Sequence, residues 1–365
     1  MSFYKTARPL LRKIEAFVRQ FRAYLVPSAY ITYFKLSKLG LNLPNKNTPC
    51  AFFDFKGTQI DYVGGRYLYY LVQDVISAGY HPIYINNFRF LHTLPYKPFK
   101  KLLLQDSFGV RSKKAKLPEN SIYFSDQNIK HKSASKNINV SFELKRPENS
   151  NELQLPFAFF PTLLKQEESI LYLGQNNSRS KHIFFGGKAD PRSHDKAGIK
   201  EKYGLITRTA AIQAIEQKIK ENFLPAEALH LHYKPEDRIQ TADWMPTMAD
   251  SEFFIALPGV TMPLCHNLIE ALAVGTIPIL QYPDYLDPGL KDGYNCLVYK
   301  NSEDLIGVIK KALSLSEEIK TQLSKNAKDY YKEHLKLGQF TNRILNLRTT
   351  DLTIYINANR VPRNK

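Results

Sequence analysis

One stretch, residues 253–280, constrains the fold of this chain more than any other. It opens with an apolar run, Phe253–Leu257, which has the length and composition of a buried strand. Pro258-Gly259 breaks this run, and Pro263 then opens a segment whose apolar residues fall at helical spacing. The next apolar run, Thr276–Leu280, predicts another strand. The stretch therefore predicts a strand, a glycine loop, a helix and a strand, which is the repeating unit of a Rossmann-like sheet.

The predicted helix is expected to end at Gly275, in a left-handed conformation. It carries two polar residues that suit a ligand. His266 and Glu270 are four residues apart and therefore share one face. Glu270 stands among apolar residues, where a carboxylate needs a partner such as the two hydroxyls of a nucleotide ribose. The loop at Gly259 would present backbone N–H groups at the helix N-terminus, which suits a phosphate. The plainer interpretation is a solvated acid with a partly buried histidine beside it.

Two segments here, Met248–Gly259 and Leu268–Ile279, resemble the C-terminal half of GT-B glycosyltransferases, nearest to the exostosin-like group. Farther on, Asp292–Val298 and Ser302–Leu305 are similar to a stretch of the large retaining GT-B group. The resemblance covers about residues 240 to 315. It implies an α/β chain of the GT-B fold, with two Rossmann-like lobes facing a central cleft. In those families the acid that matches Glu270 holds the ribose of the donor.

The sequence departs from the family pattern at two positions. Retaining GT-B enzymes carry a second acid eight positions before the glutamate, where this chain has Met262. Exostosin-like proteins often carry arginine three positions before it, where this chain has Asn267. The stereochemical outcome, retaining or inverting, therefore stays open. Gly259, His266 and Asn267 join Glu270 as predicted donor-binding residues.

The C-terminal lobe is predicted to open with a buried strand, His182–Phe185, which Gly186-Gly187 follows. Three cations come next, Lys188, Arg192 and Lys196. Glycines let the backbone approach a ligand, and a cation neutralises the charge that grows on a departing diphosphate. The resemblance implies this role for a basic residue after the first strand of the lobe. The alternative is a solvated basic loop.

The N-terminal lobe also begins with a predicted strand–helix–strand unit. Cys50–Phe55 is strand-like, Gly64-Gly65 precedes a helical pattern, and His81–Ile85 predicts the next strand. An inverting enzyme needs a base to take the acceptor proton. Asp54 near the strand end and Asp61 in the following loop are the candidate catalytic residues, and Asp61 is favoured because a loop reaches an acceptor more easily. Either aspartate could equally serve a turn or a helix cap.

The formal net charge of +17 indicates an anionic partner, such as nucleic acid, an acidic membrane surface or phosphorylated substrates. The first 40 residues carry many cations and a single acid, Glu15. Their apolar residues form a helical stripe of Leu10, Ile14, Phe17, Phe21 and Leu25. A basic amphipathic helix of this kind is typical of a membrane-surface element, and the alternative is a helix packed on the protein. No apolar run approaches the roughly 20 residues that span a bilayer.

The three cysteines, Cys50, Cys265 and Cys296, are far apart, so neither a disulfide framework nor zinc spacing is expected. No signal peptide is recognised, because charges interrupt every candidate apolar core. The expected location is therefore cytoplasmic, or peripheral at the inner face of the cytoplasmic membrane. Within the N-terminal lobe, His131 to Asn139 is expected to be an exposed basic loop.

The predicted function is transfer of a sugar from a nucleotide-sugar donor to a glycan acceptor, a lipid-linked, lipopolysaccharide or capsule intermediate in a bacterium. No Asp-x-Asp at a strand end points to a metal ion, so transfer without metal or cofactor is expected. A GT-B-shaped nucleotide-sugar epimerase is one alternative. A nucleic-acid-binding protein is disfavoured, because the cations are densest at the termini. The predicted organisation is a basic N-terminal segment (1–45), an acceptor-side lobe (46–166), a nucleotide-sugar lobe (167–335), and a return helix with a basic tail (336–365).

Overall fold

The chain forms two units, each built on its own parallel sheet. The computed structural model describes residues 24–39, 44, 47–56, 60, 63–114, 116–143, 145–175, 178–195, 198–260 and 262–356. Among these, the residues up to Leu153 and from Thr341 onward form the first unit, and Gln154–Phe340 forms the second.

The N-terminal part of the first unit alternates strands with helices. Strand β1 is buried along its whole length and apolar up to its last residue, Asp54, which suits a position inside a parallel sheet. The elements in chain order are α1 (Pro27–Leu39), β1 (Cys50–Asp54), α2 (Val63–Ser77), β2 (His81–Ile85), α3 (Phe88–Thr93), β3 (Gly109–Arg111), β4 (Ile122–Ser125), β5 (Lys136–Ser141) and β6 (Glu152–Gln154).

The second unit repeats this alternation around a smaller sheet. Its core lies between the strands and the helices that flank them, with Ile183, Phe253 and Ile277 fully buried. The elements in chain order are α4 (Glu167–Leu173), β7 (Lys181–Gly186), α5 (Pro191–His194), α6 (Ile199–Tyr203), α7 (Arg208–Lys220), β8 (Leu229–His232), α8 (Thr241–Ala249), β9 (Ser251–Ile255), α9 (His266–Val274), β10 (Ile277–Leu280), β11 (Leu297–Val298), α10 (Ser302–Ser314) and α11 (Glu317–His334).

The chain returns to the first unit through α12 (Gln339–Asn346), and β12 (Asp351–Tyr355) then joins the first sheet. The described strands of that sheet run in the order β3-β2-β1-β4-β5-β12-β6, and those of the second run β11-β10-β9-β7-β8. Neighbouring strands are parallel from β3 to β12 in the first sheet and throughout the second. The prediction of an α/β chain with two Rossmann-like lobes is confirmed.

Three local predictions are wrong. Lys136–Ser141, placed partly in an exposed loop, is strand β5 with alternating burial, and Lys136 Nζ donates to the Leu347 and Thr349 carbonyls. Gly64-Gly65 belongs to the first turn of α2 instead of preceding the helix. The helix of the central stretch begins at His266 and not at Pro263. In the first case long-range pairing outweighs the local pattern.

The chain passes from the first unit to the second between Leu153 and Gln154. The sequence analysis placed this division at residue 166. The apolar stripe from Leu10 to Phe21 and the basic tail lie outside the described residues. In the part of the chain that the structure describes, no helix has the length and apolarity needed to cross a bilayer.

A buried carboxylate links α2 to α12 and provides a test of this fold. Asp74 is fully buried, and its Oδ2 accepts the Thr341 backbone N–H at 2.8 Å and the Thr341 hydroxyl at 2.5 Å. Thr341→Val removes the hydroxyl donor and should lower the free energy of unfolding by about 1–3 kcal/mol, as expected for a bond to a charged group. Thr341→Ser keeps the donor and is the matched control in urea unfolding. Equal loss in both variants would contradict the role of this bond.

Candidate functional site

The strand order of the second sheet indicates where a ligand binds. From β7 the chain moves outward to β8, whereas β9, β10 and β11 follow one another towards the other edge. The order therefore reverses between β7 and β9, and in open α/β sheets ligands bind outside the carboxyl ends of the strands at such a point. Gly187 follows β7 and Pro258-Gly259 follows β9, so the glycine loops noted in the sequence both lie at this edge.

Each of the two glycine loops has a glycine where any other residue would strain the backbone. Gly187 has φ of +146°, and its N–H donates to the His232 carbonyl at 3.0 Å. Gly259 donates to the Pro263 carbonyl at 3.0 Å, and a Cβ added there would lie 2.7 Å from the Met262 carbonyl oxygen. Both positions therefore require glycine, because the chain turns tightly at each of them.

A buried arginine that the sequence analysis did not single out connects these loops. Arg208 is the first residue of α7, and its Nε donates to the Pro258 carbonyl at 2.7 Å. Its Nη1 donates to the Lys188 carbonyl at 3.1 Å, and its Nη2 lies 3.4 Å from Cys265 Sγ. A single guanidinium thus joins the loop after β7, the loop after β9 and the residue that precedes α9.

One sequence signal could have identified Arg208. It follows Thr207, whose hydroxyl accepts the Ala210 N–H and so marks the start of α7. A cation in the first helical turn is disfavoured by the helix dipole, which favours anions there. A basic residue in this place therefore indicates a tertiary or functional role.

The start of α9 supplies backbone N–H groups beside this arginine. Cys265 precedes the helix, and its side chain does not cap it. Asn267 is buried and donates from Nδ2 to the Gly186 carbonyl at 3.0 Å, so it ties the helix start to the end of β7. The His266 ring lies 5.6 Å from the Phe160 ring. An uncapped helix start beside a buried guanidinium is a suitable seat for an anion.

Glu270 lies one helical turn farther along α9 and is almost completely buried. It is 1% exposed, and its Oε2 accepts the indole N–H of Trp244 at 2.7 Å. Its Oε1 accepts no hydrogen bond of normal geometry from the residues that the structure describes, although the Phe160 backbone N–H faces the carboxyl group. Burial raises the pKa of Glu270 to about 7, while the Trp244 indole N–H and the Phe160 backbone N–H act in the opposite direction. The site therefore contains a carboxyl oxygen that can still accept a hydrogen bond.

The cations predicted after β7 lie on the surface where they are described. Lys188 is exposed, and its carbonyl is one of the acceptors of Arg208. Arg192 is exposed in α5, where its N–H donates to Asp190 Oδ1 at 3.1 Å. Lys196 lies outside the described residues. The structure thus places the backbone of Lys188 at the loop that Arg208 organises.

The candidate bases belong to the first unit. Asp61 lies outside the described residues. Asp54 is fully buried at the end of β1, where its Oδ2 accepts the Tyr123 hydroxyl at 2.8 Å and lies 3.3 Å from Lys113 Nζ. The strand order of the first sheet reverses between β1 and β4, so Asp54 lies at the corresponding edge of that sheet. Asp126 follows β4 at the same edge and accepts the Lys56 N–H at 2.9 Å, and the sequence analysis did not single it out.

No family model and no curated protein matches the chain. A solved glycosyltransferase from Rickettsia africae is similar over 81% of this chain and 97% of its own, at 10% identity and a TM-score of 0.45. Anabaena HepE in complex with UDP is similar over 81% and 99%, at 11% identity and a TM-score of 0.41. HepE in complex with UDP-glucose has a TM-score of 0.39 at 11% identity, over 81% and 98%. A shared activity does not follow from likeness of this degree, so function must be derived from the residues of this chain.

Trp244 is the single tryptophan of the chain, so its fluorescence should report the titration of Glu270. We expect the emission to change around pH 7 and this change to disappear in Glu270→Gln, because an amide does not ionise. The folded-state pKa of Glu270 is above the usual 4.5. The contribution of the protonated group to the free energy of unfolding is therefore fully present at low pH and is lost as pH rises through 7. Glu303→Gln on the exposed start of α10 is the control. A transition near pH 7 that persists in Glu270→Gln would contradict the assignment.

Proposed function

We propose that the second unit binds a nucleotide-sugar donor and that the chain transfers the sugar to a glycan acceptor. The observation that carries this proposal is that Glu270 and Arg208 both lie near the start of α9, at the carboxyl edge of one sheet. Glu270 offers a buried carboxyl oxygen that accepts no hydrogen bond of normal geometry from the described residues. Arg208 lies beside the uncapped start of α9, one helical turn away. A nucleoside diphosphate carries both groups that this arrangement suits, a ribose diol and a diphosphate.

The geometry of this edge supports the following roles. The Glu270 carboxylate accepts the ribose hydroxyls, which replaces a missing hydrogen bond in a buried place. The first N–H groups of α9 and the Arg208 guanidinium face the diphosphate, whose charge increases as the sugar departs. Asn267 orients the helix start through Gly186. Gly259, Lys188, Arg192, Lys196 and His266 complete the proposed donor site.

The acceptor side of the proposal rests on the first unit. An inverting transfer requires a base at that side, and Asp61 is the preferred candidate. Asp54 is less suited to this role, because it is buried and is already bound by Tyr123 and Lys113. A lipid-linked, lipopolysaccharide or capsule intermediate remains the proposed acceptor, and transfer without a metal ion remains a prediction.

A donor screen tests the proposal directly. UDP-, GDP-, CMP- and dTDP-sugars are compared by thermal shift, because a ligand that binds only the folded state raises its stability. One class of donor should raise the melting temperature. If none does, the proposal fails. Turnover of the donor without any acceptor would instead indicate an epimerase.

The role of Glu270 predicts how donor binding depends on mutation and on pH. Glu270→Gln should weaken nucleotide binding by about 1–3 kcal/mol, the range for a hydrogen bond to a charged group. Ribose hydroxyls donate to the ionised carboxylate, so affinity in the unmodified protein should rise with pH through 7 and binding should release protons. Isothermal calorimetry in two buffers measures both effects.

The matched control for Glu270 is Glu252→Gln. Glu252 is also buried but lies at the amino end of the same sheet, where it contacts Lys320 and His182. Its replacement should leave nucleotide affinity per folded molecule unchanged. Unchanged affinity in Glu270→Gln would remove the ribose assignment.

Replacing the cation that binds the diphosphate should lower turnover more than donor affinity, because charge develops on the diphosphate in the transition state. Arg208→Lys keeps one positive charge but loses the planar fork, and we expect turnover to fall by about 100- to 1,000-fold. Lys188→Ala, Arg192→Ala and Lys196→Ala test the remaining candidates in the same assay of kcat and donor Kd. Normal turnover in all four variants would place the diphosphate elsewhere.

A further inference from the structure

Helix α1 carries large apolar side chains on its outer face. Ala29 and Leu36 are buried on the side that packs against α3 and β3. A helix on the surface of a soluble protein normally has polar residues on the opposite side. Here that side carries Ile31 and Phe34, which are 56% and 55% exposed. The helix is therefore apolar on both of its faces.

This outer face is part of a larger apolar surface. Leu25, in the turn before the helix, is 69% exposed, and Tyr96 is 66% exposed. The Tyr96 hydroxyl lies 3.1 Å from the Thr32 hydroxyl, so Tyr96 is attached to the side of the helix. We call this surface the α1 face, and it comprises Leu25, Val26, Tyr30, Ile31, Phe34 and Tyr96.

The α1 face is held firmly on the first unit. The Phe88 ring at the start of α3 lies 4.9 Å from the Tyr24 ring, 4.7 Å from the Tyr30 ring and 5.5 Å from the Tyr33 ring. The Tyr33 hydroxyl donates to Asn86 Oδ1 at 2.7 Å, directly after β2. The face therefore lies at the carboxyl edge of the first sheet, where α/β sheets bind ligands.

The charge around this face selects the kind of partner. The two segments that form it belong to stretches without any aspartate or glutamate, residues 16–53 and residues 75–105. Lys35 and Lys38 are exposed on α1, and Lys101 is exposed nearby in the chain after Tyr96. A partner that covers the face must therefore be compatible with the positive charge of these lysines.

Two other occupants fit this charge poorly. A second copy of the chain would place the same lysines against each other. Residues 1–23 carry six lysines and arginines against one glutamate, so they would also bring cations to cations. An anionic lipid surface matches both properties of the face, since its acyl region accepts apolar groups and its phosphates accept lysine.

We propose that the α1 face is a membrane-contact surface of the first unit. Ile31, Phe34 and Leu25 enter the boundary between headgroups and acyl chains, and the rings of Tyr30 and Tyr96 lie at headgroup level. Lys35 and Lys38 contact the lipid phosphates from the rim of the face. This surface was not recognised in the sequence, where the predicted membrane stripe ran from Leu10 to Leu25.

The inference deepens the proposed function on its acceptor side. A lipid-linked acceptor stays in the bilayer, so an enzyme that uses it must bring its acceptor edge to the membrane. The α1 face lies at the carboxyl edge of the first sheet and would do so. The binding test below uses neither donor nor acceptor, so its failure and the failure of the proposed transfer are distinguishable.

Vesicle cosedimentation of the full chain tests the α1 face. We compare vesicles of phosphatidylglycerol and phosphatidylcholine with vesicles of phosphatidylcholine alone, at low and high salt. Ile31→Ser/Phe34→Ser should reduce partitioning to the anionic vesicles at least about tenfold, because two large apolar side chains are no longer transferred from water into the bilayer. The matched control is Tyr172→Ser/Ile319→Ser, since both residues are exposed in the second unit. It should bind like the unmodified chain.

A second variant tests the charge without changing the apolar groups. Lys35→Gln/Lys38→Gln should weaken binding to anionic vesicles and reduce its dependence on salt, with an unchanged melting temperature. The proposal is overturned if the full chain ignores anionic vesicles at low salt, or if Ile31→Ser/Phe34→Ser binds normally. It is also overturned if that variant changes the sedimentation mass, which indicates a second copy. It is overturned too if that variant melts lower without lipid while Tyr172→Ser/Ile319→Ser does not, which indicates that residues 1–23 cover the face.

Discussion

The candidate site depends on one buried guanidinium. Arg208 binds the carbonyls of Lys188 and Pro258 and contacts Cys265, so it sets the distance between two strand ends and the start of α9. Its place in the first turn of α7 opposes the helix dipole, and the three contacts compensate for that cost. These contacts use three of the five N–H donors of the guanidinium and bring no carboxylate to it. The positive charge at this edge is therefore retained.

Besides the positive charge of Arg208, the same edge has a buried carboxyl group, that of Glu270. Its carboxyl group is buried one helical turn from the positive edge, and burial raises its pKa to about 7. A carboxylate in such a place is costly unless its oxygens are hydrogen-bonded, and the indole of Trp244 binds only one of them. The arrangement thus favours a ligand that combines hydroxyl donors with negative charge. It also makes the ionisation of Glu270 sensitive to what binds there.

Where the sequence analysis was wrong, contacts between distant residues had outweighed local composition. Lys136 is polar, yet β5 lies between β4 and β12, and the lysine reaches carbonyl groups after α12. Gly64 and Gly65 looked like a loop, yet they form the first turn of α2, where a Cβ at Gly65 would lie 2.9 Å from the Ile60 carbonyl. Arg208 was overlooked because its partners lie 20 to 57 residues away in the chain. Local periodicity carries no information about such partners.

The sequence by itself determined the class of fold and the place of the central unit, because apolar runs of strand length and helical spacing depend on neighbouring residues alone. It also singled out Glu270 and Gly259 as candidates, since an acid within an apolar helix and a glycine after a strand are local signals. Only the tertiary structure decided that Glu270 retains a carboxyl oxygen that accepts no hydrogen bond of normal geometry from the described residues, that Arg208 lies beside the start of α9, and that α1 exposes Ile31 and Phe34. Burial and partnership are properties of groups brought together across the chain, so no local pattern specifies them.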